Sequence, residues 1–325
     1  MSPFHILLLI LVLLIVIAFF YAFFYSKDLI KGNPFLDKKL LERGLTKPVI
    51  WLYYDTSDVS SRQWSDFGAR SSRALNLPFL NLCYQSIVKQ NSDLYRIEVI
   101  GGLSGAAELL GDLPPGLQNP LAPVNEAELN YLRAAILAKY GGLWLSPYCV
   151  CLKPFGTLPA DKTVFFGTDL EETFAGPSGT TVPGFRALWT PKPEHPMFVE
   201  WAAVCRERVV QKRGGEQIRG DAKWDFIRFS TEYVHTGLVV DPAAEGMRKK
   251  NGKRIQLEDL LATGTDGNLP FDICAYTVYV PFPWKELRDR DMFGWFLRMS
   301  ESQIKESDLA VKYLLDTPSN GNVSL

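Results

Sequence analysis

Hydrophobic positions are concentrated at the start of the chain. From Ile6 to Tyr25 it runs ILLLILVLLIVIAFFYAFFY without a charge. At about 1.5 Å per residue such a run spans about 30 Å, the thickness of a bilayer's hydrocarbon core. The apolar core of a cleaved signal sequence is shorter, about 7–15 residues, and is followed by a small-residue cleavage site. Here the run is longer and closes on Phe23, Phe24 and Tyr25, which suit an interfacial aromatic belt. The pattern predicts an uncleaved single-pass anchor over residues 1–26 and a charged stem over 27–45. Lys27, Lys31, Lys38 and Lys39 follow the run, and the Lys/Arg rule would hold that side in the cytosol. A body in the lumen of the ER, Golgi or a host endomembrane is the alternative, and the side of the membrane stays open.

Beyond the stem the periodicity changes. Val49–Tyr54 is an apolar aromatic run ending at Asp55, a buried strand and a turn. Residues 58–74 are polar with helical character, and 78–90 place Leu80, Cys83, Tyr84, Ile87 and Val88 at helical spacing. Tyr95–Ile100 alternates and reads as a second strand, ended by Gly101 and Gly102. A Pro/Gly-rich loop precedes a helix over 126–140, with Asn125 and Glu128 set as a capping box and Gly141 just past its end. Strands are expected at 143–145, 149–152, 164–167 and 276–281, and helices at 198–210 and 256–261. Strand and helix alternate, so the predicted class is α/β, a mostly parallel sheet flanked by helices. The soluble part divides at about residue 165 into a first half, 46–165, and a second, 166–325.

The 325 residues are 47% hydrophobic and 22% charged, values of a globular chain. Lys and Arg number 35 against 36 Asp and Glu. Nucleic-acid binders carry a basic excess, so nucleic acid is not an expected partner. Five cysteines give no disulfide framework in a chain this long, and Cys149-x-Cys151 lacks enough further ligands for a zinc site. No serine-hydrolase elbow, P-loop, dinucleotide glycine motif or H-E-x-x-H occurs.

The segment Leu129–Phe155, LNYLRAAILAKYGGLWLSPYCVCLKPF, carries the strongest motif. Its core, Arg133 to Trp144 with Gly141-Gly142, resembles the capsular-polysaccharide-synthesis and Asp-x-Asp-containing glycosyltransferases of the GT-A (Rossmann-like) fold. Pro48–Asp55 is similar to that family's first strand, and Phe185–Trp201, containing WTPKPEHPMF, to its later strand and helix. The resemblance covers about residues 46–205. It implies a membrane-anchored enzyme moving a sugar, with retention, from a nucleotide-sugar donor to a glycan or lipid-linked acceptor. It also implies a divalent cation, Mn²⁺ or Mg²⁺, held against the donor diphosphate by an Asp-x-Asp at a strand end. Trp51, Asn130, Arg133, Gly141, Gly142 and Ser146 fall at the donor-site positions.

The chain departs from that pattern at the acids. Ser146 and Tyr148 stand where the family carries its carboxylates, and Asn130 where it carries Asp. Neutral hydroxyls are poor ligands for hard divalent cations. Gly167-Thr168-Asp169-Leu170-Glu171-Glu172 follows a predicted strand, and Asp169 and Glu172 are the candidate catalytic acids. Arg133 could meet a phosphate or a neighbouring acid. Trp51 could stack on a base or pack in the core. Two functions stay open: a transferase whose diphosphate is neutralised by other groups, and a degenerate binding or scaffold protein at the membrane.

Overall fold

The computed structural model describes residues 47–55, 77–119, 123–168, 183–211, 228–229, 231–233, 237–265 and 267–317. The expected anchor, residues 6–25, and residues 58–74, for which helical character was expected, lie outside them. Among the described residues no helix is long and apolar enough to cross a membrane. The chain divides into two units, Met1–Pro48 and Val49–Leu325, and the architecture that follows belongs to the second.

Among the described residues eight strands form two sheets. The larger has the order β2–β1–β3–β6–β5–β7, with β1 Val49–Tyr54, β2 Arg96–Gly101, β3 Gly142–Leu145, β5 Thr163–Phe166, β6 Ala187–Thr190 and β7 Leu238–Asp241. β1 is parallel to β2 and β3, and β5 is parallel to β7. β6 runs antiparallel to both β3 and β5, so it alone opposes the other five. The sheet is continuous across residue 165, taking three strands from before it, β5 astride it, and two from after it. The smaller sheet pairs β4 Cys149–Cys151 with β8 Tyr279–Pro281.

Alternation along each strand builds two cores. Ile50, Leu52 and Tyr54 on β1 and Leu143 and Leu145 on β3 face one layer, with α1 Pro78–Asn91 and the β4–β8 sheet. Trp51, Tyr53 and Trp144 face the other, against α2 Gly102–Leu110, α3 Glu126–Tyr140 and α4 Pro196–Gln211. All of these side chains are buried. Each contributes about 1.5–3 kcal/mol by leaving water, so both faces of the sheet are covered.

The helix ends follow local chemistry. Asn125 accepts from the Glu128 amide at 3.0 Å, and Glu128 accepts from the Asn125 amide at 2.8 Å, the expected capping box of α3. Gly141 closes α3 with φ +66°, its amide donating to Leu137 O. Gly101 and Gly102 do more than end β2: α2 begins at Gly102, one residue beyond the strand. The short elements after Leu257 form a layer over the first core. They are α5 Leu257–Leu260, α6 Trp284–Asp289, α7 Gly294–Leu297, α8 Glu301–Glu306 and α9 Ala310–Leu315.

Candidate functional site

Five strands run the same way, so their carboxyl ends lie along one edge, joined there by the amino end of β6. The chain leaves β1 through α1 to reach β2 on one side, then crosses to β3 on the other. This reversal places the expected ligand crevice outside the carboxyl ends of β1 and β3. Asp55, Ser146, Arg186 and Thr168 lie at this edge, just past β1, before β4, at the start of β6 and just past β5. The Ser146 amide donates to Arg186 O at 2.7 Å, and Asp55 Oδ2 accepts from the Val124 amide at 2.7 Å.

The donor-site positions separate into two groups. Trp51 donates its indole N–H to Gly141 O at 2.8 Å, and a Cβ on Gly142 would sit 2.7 Å from Val49 O and 3.0 Å from Trp51 Nε1. These three residues hold the turn from α3 into β3, at its amino end. Ser146, Asn130 and Arg133 belong to the opposite edge.

Arg133 is 4% exposed. Nη1 donates to Phe185 O at 3.0 Å, Nη2 to Glu126 at 2.9 Å, and the guanidinium lies 5.5 Å from the Phe185 ring centre. Burial pulls its pKa down and Glu126 pulls it up, with a net lowering. Of the two roles open from the sequence, the contact present is the one to a neighbouring acid, Glu126. Asn130 is fully buried, and among the described residues its side-chain amide has no hydrogen-bond partner.

Tyr148, at the second acid position, stacks on Trp284 with ring centres 5.6 Å apart and planes 3° from parallel. Asp169, Glu171, Glu172 and His235 lie outside the described residues. Among those described, no group of three or more His, Cys, Asp or Glu could hold a metal ion. The neutral hydroxyls of Ser146 and Tyr148 are by their own chemistry poor ligands for the cation that the resemblance implies. His195 precedes α4, half-buried against Phe198 and Tyr233, and burial lowers its pKa.

An acid does stand at this edge, on a segment the sequence reading passed over. Glu245 follows β7, its side chain 1% exposed, and its Oε1 accepts from Arg186 Nη1 at 3.1 Å. Burial pushes its pKa up; Arg186 opposes that, as do the Tyr279 hydroxyl and the Thr168 amide, and the net direction is upward. Gly167, φ +118°, makes room for it, since a Cβ there would overlap the carboxylate.

Two clefts flank this pair. The larger, about 540 Å³, is walled by Thr168, Glu245, Met247, Lys250 and Tyr276. The smaller, about 260 Å³, is walled by Arg186, Met247, Arg254, Gln256 and Arg290. Met247 belongs to both. Arg290 is engaged by Glu258 and Glu286, each at 2.6 Å. A signal for this region is present in the sequence: Arg248-Lys249-Lys250-Asn251-Gly252-Lys253-Arg254 is a cationic run about an Asn-Gly turn.

No family model matches the chain, and no curated protein is detectably similar to it.

Proposed function

We propose that the chain is a membrane-anchored glycosyltransferase that binds a nucleotide sugar at the carboxyl edge of its sheet. It passes the sugar to a glycan or lipid-linked acceptor. The observation that carries this reading is the buried Glu245–Arg186 pair, set at the strand ends beside Ser146 with a cleft on either side. The mixed sheet flanked by helices is compatible with the GT-A arrangement that Leu129–Phe155 resembles, and residues 6–25 supply the anchor.

In the proposed reaction the bond from the sugar's anomeric carbon to the donor phosphate breaks. A bond from that carbon to an acceptor hydroxyl forms. The diphosphate leaves with the electron pair, and the hydroxyl proton passes to a base. A carboxylate whose pKa burial raises is a stronger base near neutral pH than an exposed one. Glu245, on the wall of the larger cleft, is that base, with Asp169 and Glu172 as further acids beyond Thr168. Arg186 holds the Glu245 carboxylate in place.

A scaffold reading has one specific support. Tyr148 occupies the second acid position of the motif and is engaged in packing on Trp284. On that reading the same edge binds a sugar nucleotide or glycan without turning it over.

The test is thermal unfolding of the full chain in detergent micelles with a panel of nucleotide sugars. A ligand held only by the folded state at a hundred times its Kd adds about 2.7 kcal/mol and raises the melting temperature. The transferase reading expects one donor class to do so, and expects Glu245→Gln to bind the donor without consuming it. A panel with no shift at all would contradict both readings.

A further inference from the structure

The donor positions implied by the motif leave a diphosphate without a counter-charge. Ser146 is neutral, and Arg133 is committed to Glu126 and the Phe185 carbonyl. The described edge holds other cations. Arg248–Arg254 forms a tight turn: the Lys249 amide donates to Lys253 O at 2.8 Å and the Gly252 amide to Lys249 O at 2.8 Å, with Gly252 at φ +84°. Five of its seven residues are cationic.

Their engagements differ. Lys249 is paired with Asp259 at 2.6 Å. Arg248 spends one N–H on Gly252 O at 2.8 Å. Lys250, Lys253 and Arg254 are exposed, and among the described residues none of their side chains meets an acid. Lys250 and Arg248 wall the larger cleft and Arg254 the smaller, whereas Lys253 walls neither. Exposed cations crowded onto a tight turn repel one another in water, and an anion that bridges them removes that cost. A ligand with two ends and a central diphosphate matches two clefts that share Met247 as a wall residue and each carry cations in their walls.

We propose that this turn is the phosphate grip of the site: Arg248, Lys250 and Arg254, together with Arg186, hold the diphosphate of the ligand at Met247 without a divalent cation. The proposal rests on the nucleotide-sugar reading and specifies how its charge is met. Arginine supplies paired N–H donors to phosphate oxygens, and lysine supplies a point charge. The charge the motif's missing acids would have recruited through a metal comes here from side chains.

The test is calorimetric titration of the full chain in detergent micelles, in EDTA, with uridine diphosphate, guanosine diphosphate and inorganic pyrophosphate. One nucleoside diphosphate is expected to bind in EDTA. Lys250→Gln and Arg254→Gln are each expected to weaken it about tenfold or more, while Arg254→Lys keeps most of the affinity. Lys253→Gln, which removes the same charge from the same turn but outside both clefts, is expected to change it less than about twofold. Binding that appears only when Mn²⁺ replaces EDTA would overturn the grip and leave the nucleotide-sugar reading standing. Equal weakening by Lys253→Gln would overturn it too, since net charge alone would then explain the affinity. Pyrophosphate binding with the expected variant pattern, but no nucleotide binding, would keep the grip and sink the nucleotide-sugar reading. Silence from all three ligands would overturn both.

Discussion

Glu245 accepts from Arg186 at 3.1 Å, and the two ends of this contact differ in environment: the Glu245 side chain is 1% exposed and the Arg186 side chain 36%. A buried carboxylate with one cationic partner, under a glycine that gives it room, is expensive to keep in a fold. Breaking a buried pair by removing one partner costs about 3–5 kcal/mol when the survivor stays buried and uncompensated. Arg186 reaches water, so removing the acid strands the cation far less than removing the cation strands the acid. Arg186→Met is therefore expected to destabilise the fold more than Glu245→Gln. Urea midpoints of the two variants check this order.

Glu245 also gives stability a pH dependence of known sign. Its pKa is raised in the fold from the ordinary 4.5. The folded protein thus holds this proton more tightly than the unfolded chain does. The group's contribution is fully present below 4.5 and is lost as pH rises through the raised folded value. The stability difference between the wild type and Glu245→Gln should move in the variant's favour as pH climbs from about 4 to 8. Denaturation at several pH values reads it, and a flat difference would contradict the assignment.

Gly167→Ala is expected to fail at this site. Its φ of +118° disfavours any Cβ, and the added atom would overlap the Glu245 carboxylate. Strain and overpacking together are expected to cost about 2–4 kcal/mol. Gly156→Ala is the control: φ is +68°, and no atom lies within 4 Å of the added Cβ. It should cost less by the whole of the overpacking share, as thermal melts of the pair would read.

Arg133→Gln and Trp51→Phe separate packing from binding. The first removes the bond to Phe185 O and the pair with Glu126; the second removes the bond to Gly141 O. Each lost hydrogen bond is worth about 1 kcal/mol, more where a charge is involved. Both variants are expected to lower the melting temperature and to leave nucleoside diphosphate affinity within about twofold. A large loss of affinity in Arg133→Gln would restore this arginine to the phosphate.

Much of the fold was legible in the residues. The β1, α3 and β3 assignments followed from apolar runs, an Asn-x-x-Glu cap and a Gly-Gly turn, because each of these acts over a few neighbouring positions. The α2 helix was missed because Gly101-Gly102 reads as a stop, while the structure uses Gly102 at φ +63° to turn directly from strand into helix. The short helix at 256–261 was read and is α5, whereas β7 and the four short helices from Trp284 onward were not. Their apolar positions are too few for periodicity, and burial against the first core fixes them. The candidate site was legible only in part. The motif pointed to the strand that ends at Ser146. Arg186 and Glu245, 59 residues apart, meet through sheet order, which no local pattern encodes. The cationic run about Asn251-Gly252 was present in the sequence, but its place beside the clefts was not.

The cysteines offer a check on access to the larger cleft. Cys83, Cys149, Cys151 and Cys205 are buried, and burial pushes the Cys151 thiol up to about 12. Cys274 is exposed and lies on the wall of the larger cleft. Only one of the five thiols is expected to react quickly with a maleimide in the native protein, and a bound nucleoside diphosphate should slow it. Fast labelling of two or more thiols would contradict the burial pattern.

The central claim is that this edge turns over a nucleotide sugar with Glu245 as its base. The most direct measurement is nucleoside diphosphate release by the full chain, reconstituted with membrane lipid and glycan acceptors, across a panel of nucleotide sugars. The account predicts acceptor-dependent release from one donor class. It also predicts a fall of about a hundredfold or more in Glu245→Gln, within the 10²–10⁴ range for losing a general base. Release that is unchanged in that variant, or no release from any donor, would contradict it.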